Sequence, residues 1–149
     1  MNGFDVSVVD FLAKRLAGIK VRTSLAQAQR DCPALWQNFC RHVPAGYRKG
    51  VYGISVMLNA QDFDYWAAFE AADGPLPTEL APVEIPAGAY ARCQVPNLES
   101  IGAGYMFLYQ TWLAGQSEWK LNEQASCFEL YQADWTPASP FELYMPVKR

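Results

Sequence analysis

The pentapeptide LWQNF at residues 35–39 returns in altered form as LYQTWL at residues 108–113. In each stretch, large apolar residues recur at the three- and four-residue spacing of one helix face. An Ala-Gly pair in a predicted strand precedes each helix, at residues 17–18 and 87–88, and two more strands follow each helix. The repeat predicts two βαββ units, and therefore an α+β fold with pseudo-twofold symmetry.

The predicted elements form a single domain, with a first half of about residues 1–72 and a second half of about residues 82–149. Gly and Pro concentrate in AADGPLPTELAP at residues 71–82, which favours a linker between the halves. Paired strands are predicted after the helices, at residues 51–58, 62–70, 126–135 and 140–148. We expect one antiparallel sheet that carries two helices, with a ligand cleft between the halves.

The two helices are predicted from different signals. Proline is accepted in the first turn of a helix, so Pro33 predicts a first helix that runs over residues 33–43. The second helix is predicted from apolar residues at helical spacing, which are Leu98, Ile101, Tyr105, Leu108 and Trp112.

The charge of the chain argues against nucleic-acid binding. Its 149 residues carry 12 basic and 15 acidic side chains, so the net charge is −3. Proteins that bind nucleic acids neutralise phosphates with a basic surface. The densest basic stretch, residues 41–50, has only four Lys, Arg or His residues within a predicted loop. We therefore expect no direct contact with nucleic acid.

The cysteines and the apolar segments indicate a compartment. The four cysteines, at positions 32, 40, 93 and 127, include no pair with C-x-x-C spacing. The first residues lack the features of a secretory signal, and no stretch is long and apolar enough to cross a bilayer. We expect a cytoplasmic protein without membrane contact, whose thiols are reduced and mostly buried.

Standard catalytic and metal-binding signatures are missing. His42 is the only histidine, and it stands two positions from Cys40, so the two side chains do not share a helix face. Zinc needs a cluster of ligands at defined spacings, and the scattered cysteines supply none. Neither a P-loop nor a G-x-G-x-x-G motif after a strand is present. We predict no metal, no cofactor and no identifiable catalytic residue.

One carboxylate stands in an apolar strand. In CFELY, at residues 127–131, Glu129 and Tyr131 share one face of the strand, and Phe128 and Leu130 share the other. If Phe128 packs on the core, Glu129 faces either solvent or a cleft, and periodicity alone does not decide between them. A carboxylate that faces a cleft would be the counter-ion of a cationic ligand.

Aromatic residues make up 14% of the chain, which is high for a core of this size. Rings at helical spacing most often pack in a core, but rings also line ligand sites. The predicted ligand-binding residues are Glu129 with aromatic side chains of both helices and of the strands, namely Trp36, Tyr52, Trp66, Tyr105, Tyr109, Trp112 and Tyr131.

Six segments, in order along the chain, follow the pattern of a known superfamily. They are AKRLAGIKVRTS, PALWQNF, VEIPAGAYARCQV, YQTWL, CFELY and LYMPVK. The sequence resembles the GyrI-like effector-binding superfamily, which includes the ligand domain of AraC-type multidrug regulators. The first half is most similar to the stand-alone integron-associated effector-binding proteins.

The resemblance implies a duplicated βαββ domain whose cleft binds small, often cationic and aromatic molecules. Glu129 matches the family's carboxylate in the F-E-x-Y strand, and Trp36 matches the tryptophan of the first helix. Tyr105, Tyr109 and Trp112 fall on the matching second helix. The family's usual WLP-SGY is replaced by WLAGQSEW at residues 112–119, so the rim of the cleft differs.

Three function classes follow. We favour a stand-alone binding protein for cationic aromatic or amphiphilic compounds, linked to drug sensing or transcription regulation. The alternatives are a GyrI-like hydrolase in which a cleft Glu acts as general acid or base, and a protein-interaction role such as gyrase inhibition. Two βαββ units leave no room in 149 residues for a helix-turn-helix. A transcriptional role would therefore need a separate DNA-binding or protein partner.

Overall fold

The computed structural model describes residues 4–71 and 75–149. Within these ranges the strands form one antiparallel sheet, in the order β1-β6-β9-β8-β3-β4-β2-β5, with β7 paired to β9. The strands are β1 (Val6–Phe11), β2 (Lys14–Ser24), β3 (Val51–Met57), β4 (Asp62–Glu70), β5 (Ala81–Ile85), β6 (Gly88–Val95), β7 (Lys120–Leu121), β8 (Cys127–Tyr131) and β9 (Phe141–Lys148).

The duplicated order of elements is present, and the predicted α+β fold is confirmed. Strands β2, β4 and β3 of the first half are repeated by β6, β9 and β8 of the second half. Strands β3 and β8 pair at the centre of the sheet, in a register that sets Gly53 opposite Glu129. The central pair therefore joins the two halves at the carboxylate that the sequence singles out.

Strands β1 and β5 extend the edges of the two halves, because β1 pairs with β6 and β5 pairs with β2. Strands β1 and β5 were not predicted as separate elements. Phe11 pairs with Gly88 and Lys14 pairs with Ile85, so β1–β2 and β5–β6 keep one antiparallel register across a short break. Part of the predicted linker is thus strand, since β5 begins at Ala81. Residues 72–74 of that linker lie outside the described residues.

The predicted start of the first helix is wrong. Helix α1 spans Ala28–Phe39, so Pro33 lies inside it rather than in its first turn. The helix starts early because a turn precedes it, in which the backbone N–H of Gln27 donates to the Ser24 carbonyl. The Thr23 hydroxyl also donates to the Asp31 carboxylate at 2.8 Å, which holds the first turns of the helix against β2. Pro33 is exposed, so solvent can satisfy the carbonyl that proline leaves without a donor.

The second helical segment covers residues 98–115, in agreement with the predicted spacing. A 3₁₀ turn at Leu98–Ser100 leads into helix α2 (Ile101–Met106). A π-helical stretch follows at Phe107–Trp112, and a second 3₁₀ turn ends the segment at Leu113–Gly115. The π-helical stretch is an addition that apolar spacing did not predict, and such stretches are frequent at functional sites.

Both faces of the sheet carry buried clusters. On one face, Phe128 packs in an aromatic cluster with Tyr52, Tyr90 and Tyr144, and the Phe128 and Tyr144 rings stack at 4.5 Å. On the other face, the two helices cover clusters that hold the remaining strand side chains. Because helices cover the Glu129 face, the solvent-facing alternative for Glu129 is excluded.

The cysteines and the helices can be compared with the predictions from the sequence. All four cysteines are free, but only Cys93 and Cys127 are buried, whereas Cys32 is half-buried and Cys40 is exposed. The expectation of mostly buried thiols therefore holds for two of the four. Within residues 4–71 and 75–149, no helix has the length and apolar character needed to span a membrane.

Candidate functional site

Glu129 is buried, with 4% of its surface exposed. Three tyrosine hydroxyls donate to its carboxylate. Tyr131 and Tyr65 donate to Oε1 at 2.6 and 2.8 Å, and Tyr105 donates to Oε2 at 2.8 Å. We call Glu129 and these three tyrosines the carboxylate cluster. Three charge-assisted hydrogen bonds explain how an acidic side chain can lie inside the fold.

Two donors come from the sheet. Tyr131 lies two residues after Glu129 on β8, so both side chains point to the same face. Tyr65 comes from β4, which lies on the far side of β3, and strands two apart are separated by about 9.6 Å. Its ring reaches Glu129 by crossing β3 at Gly53, which has no side chain in the way.

The third donor comes from the second helical segment. Tyr105 and Tyr109 are four residues apart, which places their side chains about 6 Å from each other along a helix. Glu129 and Cys127 are two residues apart on β8, which spaces them by about 6.6 Å. The spacings match, so Tyr105 reaches Glu129 while the Tyr109 hydroxyl lies 2.8 Å from Cys127 Sγ.

Trp36 connects helix α1 to the carboxylate cluster. Its indole Nε1 donates to the Tyr65 hydroxyl at 3.0 Å, and Tyr65 in turn donates to Glu129. The Trp36 ring also meets Tyr131 edge-on at 5.5 Å. Because Nε1 can only donate, it orients the Tyr65 hydroxyl proton toward the carboxylate.

Burial dominates the electrostatics of the cluster. Burial raises the pKa of Glu129 above its ordinary value, and the hydrogen bonds from Tyr131, Tyr105 and Tyr65 oppose that rise. Burial also raises the pKa of each of these tyrosines well above the usual value, so they remain neutral donors. Within residues 4–71 and 75–149, none of the ion pairs includes Glu129.

The structure does not bring every predicted site residue to the cluster. Tyr52 and Trp66 lie on the opposite face of the sheet, where Tyr52 donates to Glu70 at 3.1 Å. The Lys20 ammonium lies 5.6 Å from the centre of the Trp66 ring. Trp112 packs beside the second-half core on the helix-covered face. Glu129, Trp36, Tyr105 and Tyr131 do come together, and Tyr109 is their neighbour through Cys127.

Sequence reasoning left Tyr65 and Gly53 out of the predicted site. A signal for Tyr65 was present, because Asp64 and Trp66 share one face of β4 and leave Tyr65 on the face of Phe63 and Phe69. That face packs against helix α1. The position of Gly53 depends on how β3 pairs with β8, and a single sequence does not specify that register.

A separate pocket of about 270 Å³ lies on the opposite face of the sheet, away from Glu129. Apolar side chains of β3 and β5 line it, with Glu84, Gln124 and Ser126 at its polar side. It contains no cluster of perturbed groups, so the carboxylate cluster remains the candidate site. Over the described part of the chain, no three His, Cys, Asp or Glu side chains converge to hold a metal ion.

Solved structures share this fold across almost the whole chain. An integron cassette protein from the mobile metagenome of Vibrio cholerae is 18% identical over 98% of each chain, with a TM-score of 0.76. SAV2435 bound to tetraphenylphosphonium is 17% identical over 97% of this chain and 94% of that chain, with a TM-score of 0.74. The EcmrR protein of an EcmrR–DNA complex is 12% identical, with a TM-score of 0.70, and the match spans 98% of this chain and 58% of EcmrR.

These identities are low, so the structures alone establish a common fold. No curated protein is significantly similar to this chain in sequence. The family model of Cass2, the integron-associated effector-binding protein, matches residues 9–147. That match covers nearly all of the 149 residues, so the chain belongs to the Cass2 family of integron-associated effector-binding proteins.

Proposed function

We propose that this protein binds a small aromatic or amphiphilic cation at the carboxylate cluster, with Glu129 as the counter-ion. The observation that carries the proposal is a buried carboxylate whose hydrogen-bond donors, among the described side chains, are all neutral hydroxyls. Such a group keeps its affinity for a positive charge, because no Lys or Arg of the described residues pairs with it. Membership of the effector-binding family supports a small-molecule ligand.

The aromatic side chains around Glu129 suit a flat or bulky cation. Tyr105 and Tyr109 bring rings of the second helical segment beside Glu129 and Cys127, and ring faces attract cations by about 0.5–2 kcal/mol per contact. SAV2435, which shares the fold, is bound to tetraphenylphosphonium, a cation with four phenyl rings. We take this compound as the probe for the proposal.

Binding requires a change at the cluster, because only 4% of the Glu129 surface is exposed. The strand donors Tyr65 and Tyr131 are themselves 4% and 5% exposed. Tyr105 is half-buried, and its neighbour Tyr109 is 39% exposed. A ligand from solvent therefore reaches Glu129 on the side of the second helical segment, where Tyr105 is the donor to displace.

The test compares two ions of nearly equal shape and opposite charge. Isothermal titration calorimetry with tetraphenylphosphonium and with tetraphenylborate should show binding of the cation and not of the anion. In Glu129→Gln, the affinity for the cation should fall by about 2–3 kcal/mol. The matched control is Glu142→Gln, the same change on the neighbouring strand β9 and on the other face of the sheet. Equal affinities for the two ions would contradict a counter-ion role.

A further inference from the structure

The two oxygens of Glu129 are held differently. Oε1 receives two hydrogen bonds, from Tyr65 and Tyr131, and both donors lie on buried strand positions. Oε2 receives one, from Tyr105 on helix α2. The sheet therefore holds Oε1, and the second helical segment holds Oε2.

The hold on Oε1 depends on Gly53. A Cβ atom built on Gly53 would overlap the Tyr65 hydroxyl oxygen and would lie 2.7 Å from Glu129 Oε1 and 3.0 Å from Tyr65 Cζ. Real Cβ atoms do not approach other atoms this closely, so any other residue would displace the Tyr65 ring or the carboxylate. Gly53 has no positive φ angle, and space rather than backbone conformation explains the glycine.

We infer that Gly53 is a positioning residue, which lets Tyr65 hold Oε1 in both the empty and the occupied site and leaves Oε2 as the oxygen for the ligand. This inference rests on the proposed function for its ligand, but not for its geometry. Trp36 supports the arrangement, because its indole N–H fixes the direction of the Tyr65 hydroxyl.

Few groups around Glu129 can complicate a titration. The titratable groups that face it are Tyr65 from β4, Tyr105 from the second helical segment, Tyr131 and Cys127 from β8, and Cys32 from α1. Burial raises the pKa of Cys127 to about 11 and that of Cys32 to about 12. The raised pKa values of these neighbours keep them protonated through the acidic and neutral range, so they do not change charge there.

The first experiment needs no ligand. The carboxyl ¹³C shift of Glu129, assigned by its loss in Glu129→Gln, is followed against pH in the full chain. Gly53→Ala and Tyr65→Phe should each raise the midpoint by about one pH unit, because the ionised form loses a charge-assisted hydrogen bond. The double variant should titrate no lower than Tyr65→Phe alone, since both changes remove the Tyr65 contact and the new Cβ would still lie 2.7 Å from Glu129 Oε1.

Controls separate this effect from a general loss of stability. A Cβ on Gly102 meets no atom within 4 Å, so Gly102→Ala should leave the midpoint unchanged. If Gly53→Ala does not fold, the double variant with Tyr65→Phe should resist urea and protease better than Gly53→Ala, because it removes the hydroxyl, the nearest of the overlapping atoms. A folded Gly53→Ala with the wild-type midpoint, or a double variant no more resistant than Gly53→Ala, would overturn the inference.

The second experiment distinguishes the two oxygens with tetraphenylphosphonium, at a pH about one unit above the measured midpoints. Tyr105→Phe should bind the cation about tenfold more tightly, because no hydroxyl has to be displaced from Oε2. Tyr65→Phe should show no such gain of affinity, because its hydrogen bond to Oε1 is present before and after binding and is not displaced. A gain of affinity in Tyr65→Phe without a gain in Tyr105→Phe would overturn the assignment of Oε2 as the oxygen for the ligand. If the wild type does not bind the cation, the proposed function fails while the ¹³C titration still decides the role of Gly53.

Discussion

Tyr65 and Glu129 are 64 positions apart in the chain, and the Tyr65 hydroxyl donates to Glu129 Oε1 at 2.8 Å. This contact joins β4 of the first half to β8 of the second half, across the central strand pair. The carboxylate is therefore not an unsatisfied charge in the empty protein. It is a buried acid that the fold stabilises with neutral donors, and a cationic ligand would supply the charge that the hydroxyls lack.

The stability of the protein should depend on the ionisation of Glu129. Its folded-state pKa is raised above the ordinary value of 4.5, so the folded protein binds more protons than the unfolded chain between these two values. Stability should therefore be greatest below about pH 4.5 for this group, and should fall as the pH rises through the folded pKa. The free energy of unfolding falls by about 1.4 kcal/mol for each pH unit by which the folded-state pKa lies above the unfolded one.

Urea unfolding at a series of pH values, followed by tryptophan fluorescence, measures this slope. Glu129→Gln should abolish the contribution, because it removes the titrating group and keeps the shape. Glu142→Gln should retain it. A slope that is the same in the wild type and in Glu129→Gln would assign the pH dependence to other groups.

Two tyrosines provide a matched pair for separating stability from binding. Tyr52 donates to Glu70 on one face of the sheet, and Tyr105 donates to Glu129 Oε2 on the other. Loss of either hydroxyl should cost about 1–3 kcal/mol of unfolding free energy. Only Tyr105→Phe should alter the affinity for tetraphenylphosphonium, because only Tyr105 holds the oxygen that the cation would take. Equal changes of affinity in calorimetry would mean that the cation binds elsewhere.

Trp36 should contribute both to stability and to binding, by two separable interactions. Trp36→Phe keeps a ring against Phe39 and Tyr131 but removes the indole donor to Tyr65, so we expect a loss of about 1 kcal/mol. Trp36→Ala removes the packing as well and should cost about 3 kcal/mol, at the lower end for aromatic truncations because Trp36 is only half-buried. Unfolding curves and tetraphenylphosphonium titrations of both variants provide the comparison. A loss of stability in Trp36→Ala with unchanged affinity would assign Trp36 to the core alone.

Local patterns in the sequence predicted the duplicated fold, because each half repeats the same order of strands and helix. The predicted start of helix α1 at Pro33 is wrong. The preference of proline for the first turn of a helix is outweighed by the turn at Ser24–Gln27 and by the Thr23–Asp31 hydrogen bond. Strand β8 ends at Tyr131, before the predicted end at residue 135, since Trp135 belongs to a turn that its indole closes on Ser139.

The sequence alone predicted only part of the candidate site. Alternation along β8 puts Glu129 and Tyr131 on one face, and the resemblance to the effector-binding superfamily, not the alternation, directed that face and Tyr105 of the second helix to a ligand site. Tyr65 and Gly53 depend on pairing between strands that are far apart in sequence, and one sequence does not specify such a register. Tyr52 and Trp66 were assigned to the site as aromatic residues, but strand alternation places them on the opposite face.

The thiols should react in an order set by exposure and by thiolate content. Cys40 is exposed, whereas Cys93 and Cys127 are buried, and burial raises the pKa of both buried thiols to about 11. At pH 8 such a thiol is ionised to only about one part in a thousand, and the thiolate is the form that reacts. Titration with Ellman's reagent should therefore show one fast thiol in the folded protein, and Cys40→Ser should remove that phase. Denaturation in urea should make the remaining thiols react together. A fast phase that persists in Cys40→Ser, and also after the half-buried Cys32 is replaced by serine, would mean that the helix-covered face opens readily, and would place Cys127 within reach of solvent beside Glu129.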